Sequence, residues 1–533
     1  MGAKFKIHWR ILTVYILITA VMLCCVARVF VINKMDYQSV WRSQNSYKVK
    51  IGTARGTIFD CNLTRITNAD KKTVAIISPT PRAITAISGV LEGDELNSVL
   101  EKLKKGEPCA VRVDEKIVCD GIICKEVYEY NSPRVTAPQL IGYLDTEGHG
   151  VCGIEEAFDD TLFSDNDICA YFAVDASKKL LEGIEPEFDE SSLVQNSGIA
   201  LTINNNIQKI AVDAMEEVNC GAAVVMEIGN GKIRAMVSKP TYDVSKVAEY
   251  LESPNSPFMN RAISLYNVGS AFKPCVAAAI LEDKRYINYS TNCFGSTYID
   301  EHRFRCHSYL GHGRVDLQLA LKESCNIFFY TVSQFLGAKA INKMASSLSF
   351  GSSIDLGGIS TETGSLPSVT KLESSSTALA NLSIGQGELL LSPVAILTLY
   401  EAIANGGVYH LPSIIEGSVK DGVLIKKEQN SPTRAMSEHT AKTLKNYLYE
   451  VVESGTGKEA KPQFCFAAGK TATAETGWKK DGRTIQNSWF CGFFPFENPK
   501  YAVCIMIEDY EQGGITGAPV FRKIADNITL AGL

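Results

Sequence analysis

Strand-like runs stand at both ends of the C-terminal part of this chain, and this distribution most restricts its fold. Residues 222–228 and 232–237 flank a Gly-Asn-Gly turn and are predicted to form a hairpin. Three further strand-like runs lie at residues 464–473, 488–494 and 501–507. The sequence between the two groups is mostly helical in pattern. The chain is therefore predicted to build one mixed or antiparallel sheet from both ends of an α+β domain, flanked by a helical insert.

An apolar run near the N-terminus predicts a membrane anchor. Residues 11–27 are uninterrupted by charge, and residues 29–32 continue the run beyond Arg28, whose long side chain can reach the headgroups. No small-x-small cleavage site follows, so a cleaved signal peptide is the weaker alternative. Because basic residues precede the run, we expect a cytoplasmic tail over residues 1–10 and a single transmembrane helix over 11–32. The remainder would lie outside the membrane.

The rest of the chain is predicted to form two domains. Residues 33–198 mix short runs and turns, with strands expected at 74–78 and 117–119 and a helix at 94–105. We interpret this part as a separate α+β domain, and residues 199–533 as a second one. Lys and Arg total 53 against 59 Asp and Glu, without a long basic run, so no nucleic-acid partner is expected.

The 16 cysteines stand mostly inside apolar runs, which is typical of small buried hydrophobic residues. Cys293 and Cys306 flank one polar loop and are predicted to lie close enough to form a disulfide. Cys306 and His307 with His312 suggest zinc, but their spacing fits no common zinc site. We therefore expect no metal and no organic cofactor.

Three short motifs carry candidate chemistry. Ser270 and Lys273 are one helical turn apart, and Pro274 places them at the start of a helix, where its missing N–H costs nothing. A lysine whose pKa is lowered by burial can take the proton of a serine hydroxyl. Ser324 and Asn326 are predicted to project into a cleft from a short loop between two helices.

The third motif is Lys470-Thr471-Ala472-Thr473, on a predicted strand. Lys470 and Thr471 offer a cation and a hydroxyl suited to a substrate carboxylate. Side chains alternate along a strand, so the Ala472 methyl is predicted to point away from the Thr471 hydroxyl, towards the face of Lys470.

Together, and in this order, the motifs resemble the Ser-x-x-Lys, Ser-x-Asn and Lys-Thr-Gly motifs of penicillin-binding proteins and serine β-lactamases. Upstream, residues 55–60 and 150–159 resemble the pedestal domain of the monofunctional class B members. The resemblance implies a pedestal over residues 33–198 and a penicillin-binding transpeptidase domain over 199–533. Ala472 is a departure, since the family usually has glycine there.

The resemblance also implies a mechanism, in which a stem peptide ending in D-Ala-D-Ala acylates a serine and a neighbouring strand's amine then completes the cross-link. The implied catalytic residues are Ser270, Lys273, Ser324, Asn326 and Lys470. Thr471 and Thr473 would bind the substrate, and the N–H groups of Ser270 and Thr473 would form the oxyanion hole. The implied partners are peptidoglycan stem peptides, β-lactam antibiotics, the bacterial cytoplasmic membrane and other wall-synthesis membrane proteins.

Alternative functions stay open at this point. A non-catalytic or weakly catalytic penicillin-binding partner of a wall-synthesis complex is supported only by Ala472. A β-lactamase or carboxypeptidase would share the chemistry but does not need a pedestal. The sequence contains no Gly-x-Ser-x-Gly and no His-Glu-x-x-His, so an α/β-hydrolase and a zinc protease are unsupported.

Overall fold

The protein is described by a computed structural model covering residues 2–34, 46–130, 136–164, 167–181, 183–188, 195–480, 482–509 and 514–533. Contacts divide the chain into two compact units, each built from separate segments. Unit 1 combines residues 1–54, 70–129 and 164–194, and unit 2 combines residues 55–69, 130–163 and 195–533.

The described residues form α-helices in both units. In chain order they are α1 Gly2–Lys34, α2 Pro81–Ser88, α3 Gly93–Lys104, α4 Pro138–Ile141, α5 Gly153–Ala157, α6 Asp159–Leu162, α7 Asn205–Ala214, α8 Lys273–Asp283, α9 Leu317–Lys322, α10 Asn326–Leu336, α11 Ala338–Ser347, α12 Val369–Glu373, α13 Ser376–Ser383, α14 Pro393–Ala404, α15 Glu438–Ser454 and α16 Gly517–Leu530.

The strands are likewise spread over both units. They are β1 Ser46–Thr53, β2 Thr57–Phe59, β3 Asp70–Ile77, β4 Cys109–Val113, β5 Ile122–Glu129, β6 Asp167–Ala173, β7 Glu187–Phe188, β8 Gly198–Leu201, β9 Gly221–Glu227, β10 Ile233–Lys239, β11 Thr291–Cys293, β12 Ser296–Ile299, β13 His302–Arg305, β14 Gly313–Val315, β15 Val408–Tyr409, β16 Ile415–Lys420, β17 Val423–Lys426, β18 Thr433–Arg434, β19 Ala468–Lys480, β20 Arg483–Phe494 and β21 Tyr501–Ile507.

Unit 1 begins with the apolar helix α1. Its segment Ile11–Phe30 has a mean hydropathy of 2.3, none of it is buried, and its 20 residues are long enough to cross a membrane. A single helix of this kind near the N-terminus fits a single-pass membrane protein.

The rest of unit 1 is a small α+β fold. Strands β4, β3 and β5 form an antiparallel sheet, and β1, β6 and β7 form a second one. Helices α2 and α3 cover one face of the β3 sheet through Ile87 and Val99, which pack with Ile77. The predicted helix at 94–105 is confirmed as α3. The strand predicted at residues 117–119 is wrong, because Val118 is 99% exposed and this apolar run lies in a loop before β5.

Unit 2 is organised around a five-stranded sheet in the order β10-β9-β21-β20-β19. Every neighbouring pair is antiparallel, so strands from both ends of the domain meet in one sheet, as the sequence predicts. Helices α7 and α16 cover one face, where Val225 and Val503 are buried, and the helical insert covers the other, where Val224 and Cys504 are buried. Neighbouring residues thus face opposite layers, as strand alternation requires. Strand β19 lies at the edge of the sheet.

The segments of unit 2 that resemble a pedestal meet around one buried ion pair. Arg55 Nη2 lies 2.8 Å from Glu155 Oε2 and 2.8 Å from Asp159 Oδ1. Arg55 also donates to the backbone oxygen of Gly148 at 2.8 Å. A buried carboxylate is stable only when it is paired and hydrogen-bonded, so Arg55 and Glu155 depend on each other.

Candidate active site

The first motif lies in a tight turn ahead of helix α8. Residues Gly269–Phe272 form one 3₁₀ turn, and α8 begins at Lys273 with Pro274 in its first turn, as predicted. Gly269 has a φ of +55°, and a Cβ on it would lie 2.8 Å from the backbone oxygen of Thr473. Only glycine fits this conformation and this space, and it brings the turn of Ser270 against strand β19.

Lys273 joins the first motif to the second. Its Nζ donates to Ser324 O at 2.7 Å, to Ser324 Oγ at 3.2 Å and to Asn326 Oδ1 at 2.7 Å. Ser324 Oγ in turn donates to Ser270 Oγ at 3.2 Å. A hydrogen-bonded path therefore runs from Ser270 through Ser324 to Lys273, and the structure brings together four of the residues predicted from sequence.

The loop between α9 and α10 supplies Ser324 and Asn326, as predicted. Ser324 has a φ of +53°, which a non-glycine residue adopts at some cost. This backbone turns both its carbonyl oxygen and its Oγ towards Lys273. Asn326 then starts α10. Strained backbone is common at functional sites, where the surrounding structure holds it in place.

Burial changes the acid–base properties of the two lysines. Lys273 has 0% of its surface exposed, and burial lowers its pKa from 10.5 to about 8, although nearby Cys325 and Cys306 act in the opposite direction. Lys470 is also 0% exposed. Burial lowers its pKa well below the usual value, and the charge of nearby Lys273 lowers it further, whereas Glu323 raises it. The site therefore holds two amines that lose their protons more readily than ordinary lysines.

Strand β19 forms the side of the site that carries the third motif. Lys470, Ala472 and Ala474 are buried on one face, while Thr473 is exposed on the other and Thr471 is half-buried there. The prediction that the Ala472 methyl faces the Lys470 side is confirmed. The methyl therefore does not occupy the face that Thr471 and Thr473 present.

Two contacts were not anticipated from the sequence. Thr471 Oγ1 donates to Thr456 Oγ1 at 3.1 Å, and the backbone N–H of Thr456 is held by Lys322 O at 3.2 Å. The Gly455-Thr456-Gly457 turn after α15 is the signal that could have pointed to this residue. The ring of Phe329 also lies 5.4 Å from Lys273 Nζ, on the first turn of α10.

A group of potential metal ligands lies behind the Ser324–Asn326 loop. The ligand atoms of Cys293, Cys306, His312 and Cys325 all lie within 4.8 Å of one another. Cys293 and Cys306 lie close together, as predicted, with their sulfurs no more than 4.8 Å apart. No disulfide joins them, and the cysteines of the described chain are free thiols. The expectation of no metal considered only Cys306, His307 and His312. It did not consider Cys293 and Cys325, which the fold brings beside Cys306 and His312.

The arrangement can transfer an acyl group. A serine hydroxyl is linked by hydrogen bonds to a lysine with a lowered pKa, and a second buried amine with a threonine stands on the adjacent strand. Such a lysine can accept the proton that the serine must lose before it attacks a carbonyl.

Comparison with known proteins identifies the family of this chain. Residues 221–526 match the family model of the penicillin binding protein transpeptidase domain. Stage V sporulation protein D of Bacillus subtilis is 27% identical over 410 residues, which cover 72% of this chain and 61% of that protein. Peptidoglycan D,D-transpeptidase PbpA of Mycolicibacterium smegmatis is 28% identical over 432 residues, covering 74% of this chain and 82% of that protein.

Solved structures share the fold. Penicillin-binding protein 3 of Mycobacterium tuberculosis, complexed with aztreonam, has a TM-score of 0.64 at 24% identity and covers 89% of this chain, and the match covers 95% of that chain. Penicillin-binding protein 2 of Helicobacter pylori, in complex with MreC, has a TM-score of 0.66 at 20% identity, and the match covers 91% of this chain and 99% of that chain. The chain thus belongs to the penicillin-binding protein transpeptidase family.

Proposed function

We propose that this chain is a peptidoglycan D,D-transpeptidase that forms an acyl-enzyme at Ser270. The observation that carries the proposal is the path from Ser270 Oγ through Ser324 Oγ to Lys273 Nζ, with 3.2 Å at each step. Because the pKa of Lys273 is lowered to about 8, a useful fraction of this amine is neutral near physiological pH. The relative PbpA, which carries the name D,D-transpeptidase, supports the same activity.

In the acylation step, Ser270 Oγ attacks the penultimate carbonyl carbon of a stem peptide ending in D-Ala-D-Ala. Its proton passes through Ser324 towards Lys273, the C–N bond to the terminal D-Ala breaks, and the amine leaves after receiving a proton from Ser324. An amine of a neighbouring strand then attacks the ester and releases Ser270. The oxyanion would be bound by the N–H groups of Ser270 and Thr473, which the close approach of Gly269 to Thr473 O supports.

The substrate carboxylate would be held by Lys470 and Thr471. The contact of Thr471 with Thr456 fixes its hydroxyl at the mouth of the site. Strand β19 lies at the sheet edge, so a peptide backbone can align along it as an added strand. Asn326, whose Oδ1 accepts from Lys273, would orient this lysine and contact the substrate amide.

Helix α1 supports a proposal for the placement of the chain in the cell. We propose that residues 11–32 span the bacterial cytoplasmic membrane, with residues 1–10 inside and the catalytic unit outside. The basic residues before the span favour this orientation. β-Lactams and wall-synthesis membrane proteins are the partners expected, because family members of this fold occur in complexes with aztreonam and with MreC. Residues 33–198 are proposed to act as the pedestal of the transpeptidase domain at 199–533.

Labelling with a fluorescent penicillin tests the function. The full chain in detergent should be labelled covalently. Its intact mass should show one adduct, and peptide mapping should locate this adduct on the peptide that contains Ser270. Ser270→Ala should lose labelling while keeping its melting temperature, because a half-exposed cleft serine contributes little to stability. Ser245→Ala, at an exposed serine outside the motifs, serves as the control and should label normally.

Two results would count against the proposal. Labelling that persists in a folded Ser270→Ala variant would place the acylation site elsewhere. A folded wild-type chain that neither labels nor cross-links a pentapeptide donor would favour the structural, non-catalytic alternative.

A further inference from the structure

Four side chains with metal-binding chemistry meet directly behind the second motif. We propose that Cys293, Cys306, His312 and Cys325 bind a structural zinc ion that holds the Ser324–Asn326 loop in place. Cys293, Cys306 and Cys325 are 1%, 3% and 0% exposed, and His312 is half-buried. Their ligand atoms all lie within 4.8 Å of one another.

The distances fit tetrahedral zinc. Zinc bonds of about 2.3 Å to sulfur and about 2.05 Å to nitrogen place a sulfur and a nitrogen ligand about 3.6 Å apart, and two sulfurs about 3.8 Å apart. Cys306 Sγ lies 3.6 Å from His312 Nδ1. The remaining separations, at 4.8 Å or less, need a contraction of at most about 1 Å, which side-chain rotation can supply.

The backbone around the four residues is built to bring them together. Strands β11 and β14 pair Cys293 with Gly313, and the N–H of His312 donates to Cys293 O at 3.0 Å. Gly311 has a φ of +78°, and a Cβ on it would lie 2.0 Å from Cys293 O, so glycine is required for this close approach. Cys306 N donates to Gly295 O at 2.9 Å. These backbone contacts therefore hold Cys293, Cys306 and His312 close together without the help of an ion.

The donor set distinguishes this cluster from an ordinary core of thiols. Cys491 and Cys504 also approach one another, with sulfurs 3.3 Å apart, but they are surrounded by apolar side chains on the central sheet. The proposed site combines three sulfurs with an imidazole, which is a common donor set for closed structural zinc sites. A disulfide would use two of the sulfurs and leave the third thiol and the imidazole unexplained.

The position of Cys325 links the proposed ion to the candidate active site. Cys325 lies between Ser324 and Asn326, which both accept hydrogen bonds from Lys273 Nζ. Ser324 has a positive φ, so the loop needs something to hold it. A bond from Cys325 to the ion would tie this loop to the β11–β14 segment. The four ligands are thus positioning residues, and this part of the inference rests on the proposed function, whereas ion binding does not.

Metal analysis is the first test. The full chain, purified in detergent under reducing conditions without a metal-affinity step, should contain about one zinc per chain by mass spectrometry of the elements. If it is purified without metal, it should take up one equivalent when titrated with zinc. Cys306→Ala and His312→Ala should each lower the content at least fivefold. The matched controls Cys275→Ala, at a buried cysteine of α8, and His439→Ala, at an exposed histidine of α15, should retain it.

Chelation of the wild-type chain is the second test and avoids variants that fail to fold. Removing zinc with a high-affinity chelator should lower the melting temperature and slow penicillin acylation at least tenfold, and added zinc should restore both. The fall in melting temperature should also occur in Ser270→Ala, which separates failure of the site from failure of the proposed function.

Several outcomes would overturn the inference. One is a wild-type chain that neither contains nor takes up zinc while all its thiols titrate as free. Another is a disulfide among Cys293, Cys306 and Cys325 in the native protein, shown by peptide mass. A third is unchanged zinc content in folded Cys306→Ala and His312→Ala. A chain that binds zinc but acylates equally fast without it would refute the positioning role.

Discussion

The lowered pKa of Lys273 predicts an unusual pH dependence of acylation. Burial lowers this pKa from 10.5 to about 8. The difference corresponds to about 3 kcal/mol that disfavours the charged ammonium in the folded protein. With a pKa of about 8, about a tenth of Lys273 is neutral at pH 7 and about nine-tenths at pH 9. If the neutral amine receives the proton of Ser270, the acylation rate should rise about tenfold between these pH values and then level off.

The rate constant for acylation by a fluorescent penicillin can be measured by quenching at timed intervals between pH 6 and pH 10. Circular dichroism at each pH controls for unfolding. A lysine with the ordinary pKa of 10.5 would instead give an increase of about a hundredfold from pH 7 to pH 9, with no plateau. A steep rise that continues through pH 9, or a rate that is flat throughout, would refute the role given to Lys273.

A variant can move the profile in a known direction. In Asn326→Asp a carboxylate would replace the amide oxygen that now lies 2.7 Å from Lys273 Nζ. An opposite charge at this range favours the ammonium by up to about 6 kcal/mol in a medium of intermediate dielectric constant. The plateau should therefore move up by at least about one pH unit. An unchanged profile in a folded, reactive variant would show that the titrating group is not Lys273.

The remaining predictions concern strand β19, the nucleophile turn and the anchor. Ala472→Gly should change the acylation rate by less than about tenfold, or about 1.4 kcal/mol, because the methyl faces the Lys470 side, and a hundredfold gain would show that alanine impairs the site. Gly269→Ala should lower the free energy of unfolding in urea by more than about 1–2 kcal/mol, because the cost of a positive φ and the contact with Thr473 O add together. Gly477→Ala has open space around it, so it should lower this free energy only by the cost of the positive φ, about 1–2 kcal/mol. N-terminal sequencing of the native membrane protein should find the chain uncleaved, and a start after residue 25 would identify a signal peptide instead.

Local patterns predicted much of the site. Ser270 and Lys273 are one helical turn apart, and the faces of Lys470 and Ala472 follow from strand alternation alone, so neither depends on tertiary packing. Thr456 could not be assigned in this way, because its contact with Thr471 arises only when the turn after α15 packs beside β19.

The cysteines show the same limit. Spacing along the chain linked Cys306 with two nearby histidines and with Cys293. The tertiary fold adds Cys325, and of the two histidines it places His312 with a ligand atom within 4.8 Å of all three sulfurs. The strand expected at residues 117–119 failed for a different reason. Three apolar residues can lie in a loop as easily as in a strand, and here Ile117 N donates to Cys124 Sγ instead of joining a sheet.

The interleaved order of the segments in unit 2 has a practical consequence for protein production. Strand β2 at Thr57–Phe59 pairs in parallel with β8 at Gly198–Leu201, and the buried carboxylate of Glu155 needs Arg55. A truncation that starts near residue 195 would therefore strip β8 of a neighbour and remove both members of that ion pair. A soluble fragment should instead begin just after helix α1 and keep the whole remaining chain. An N-terminal truncation that reaches residues 70–129 or 164–194 of unit 1 also removes residues 55–69 of unit 2.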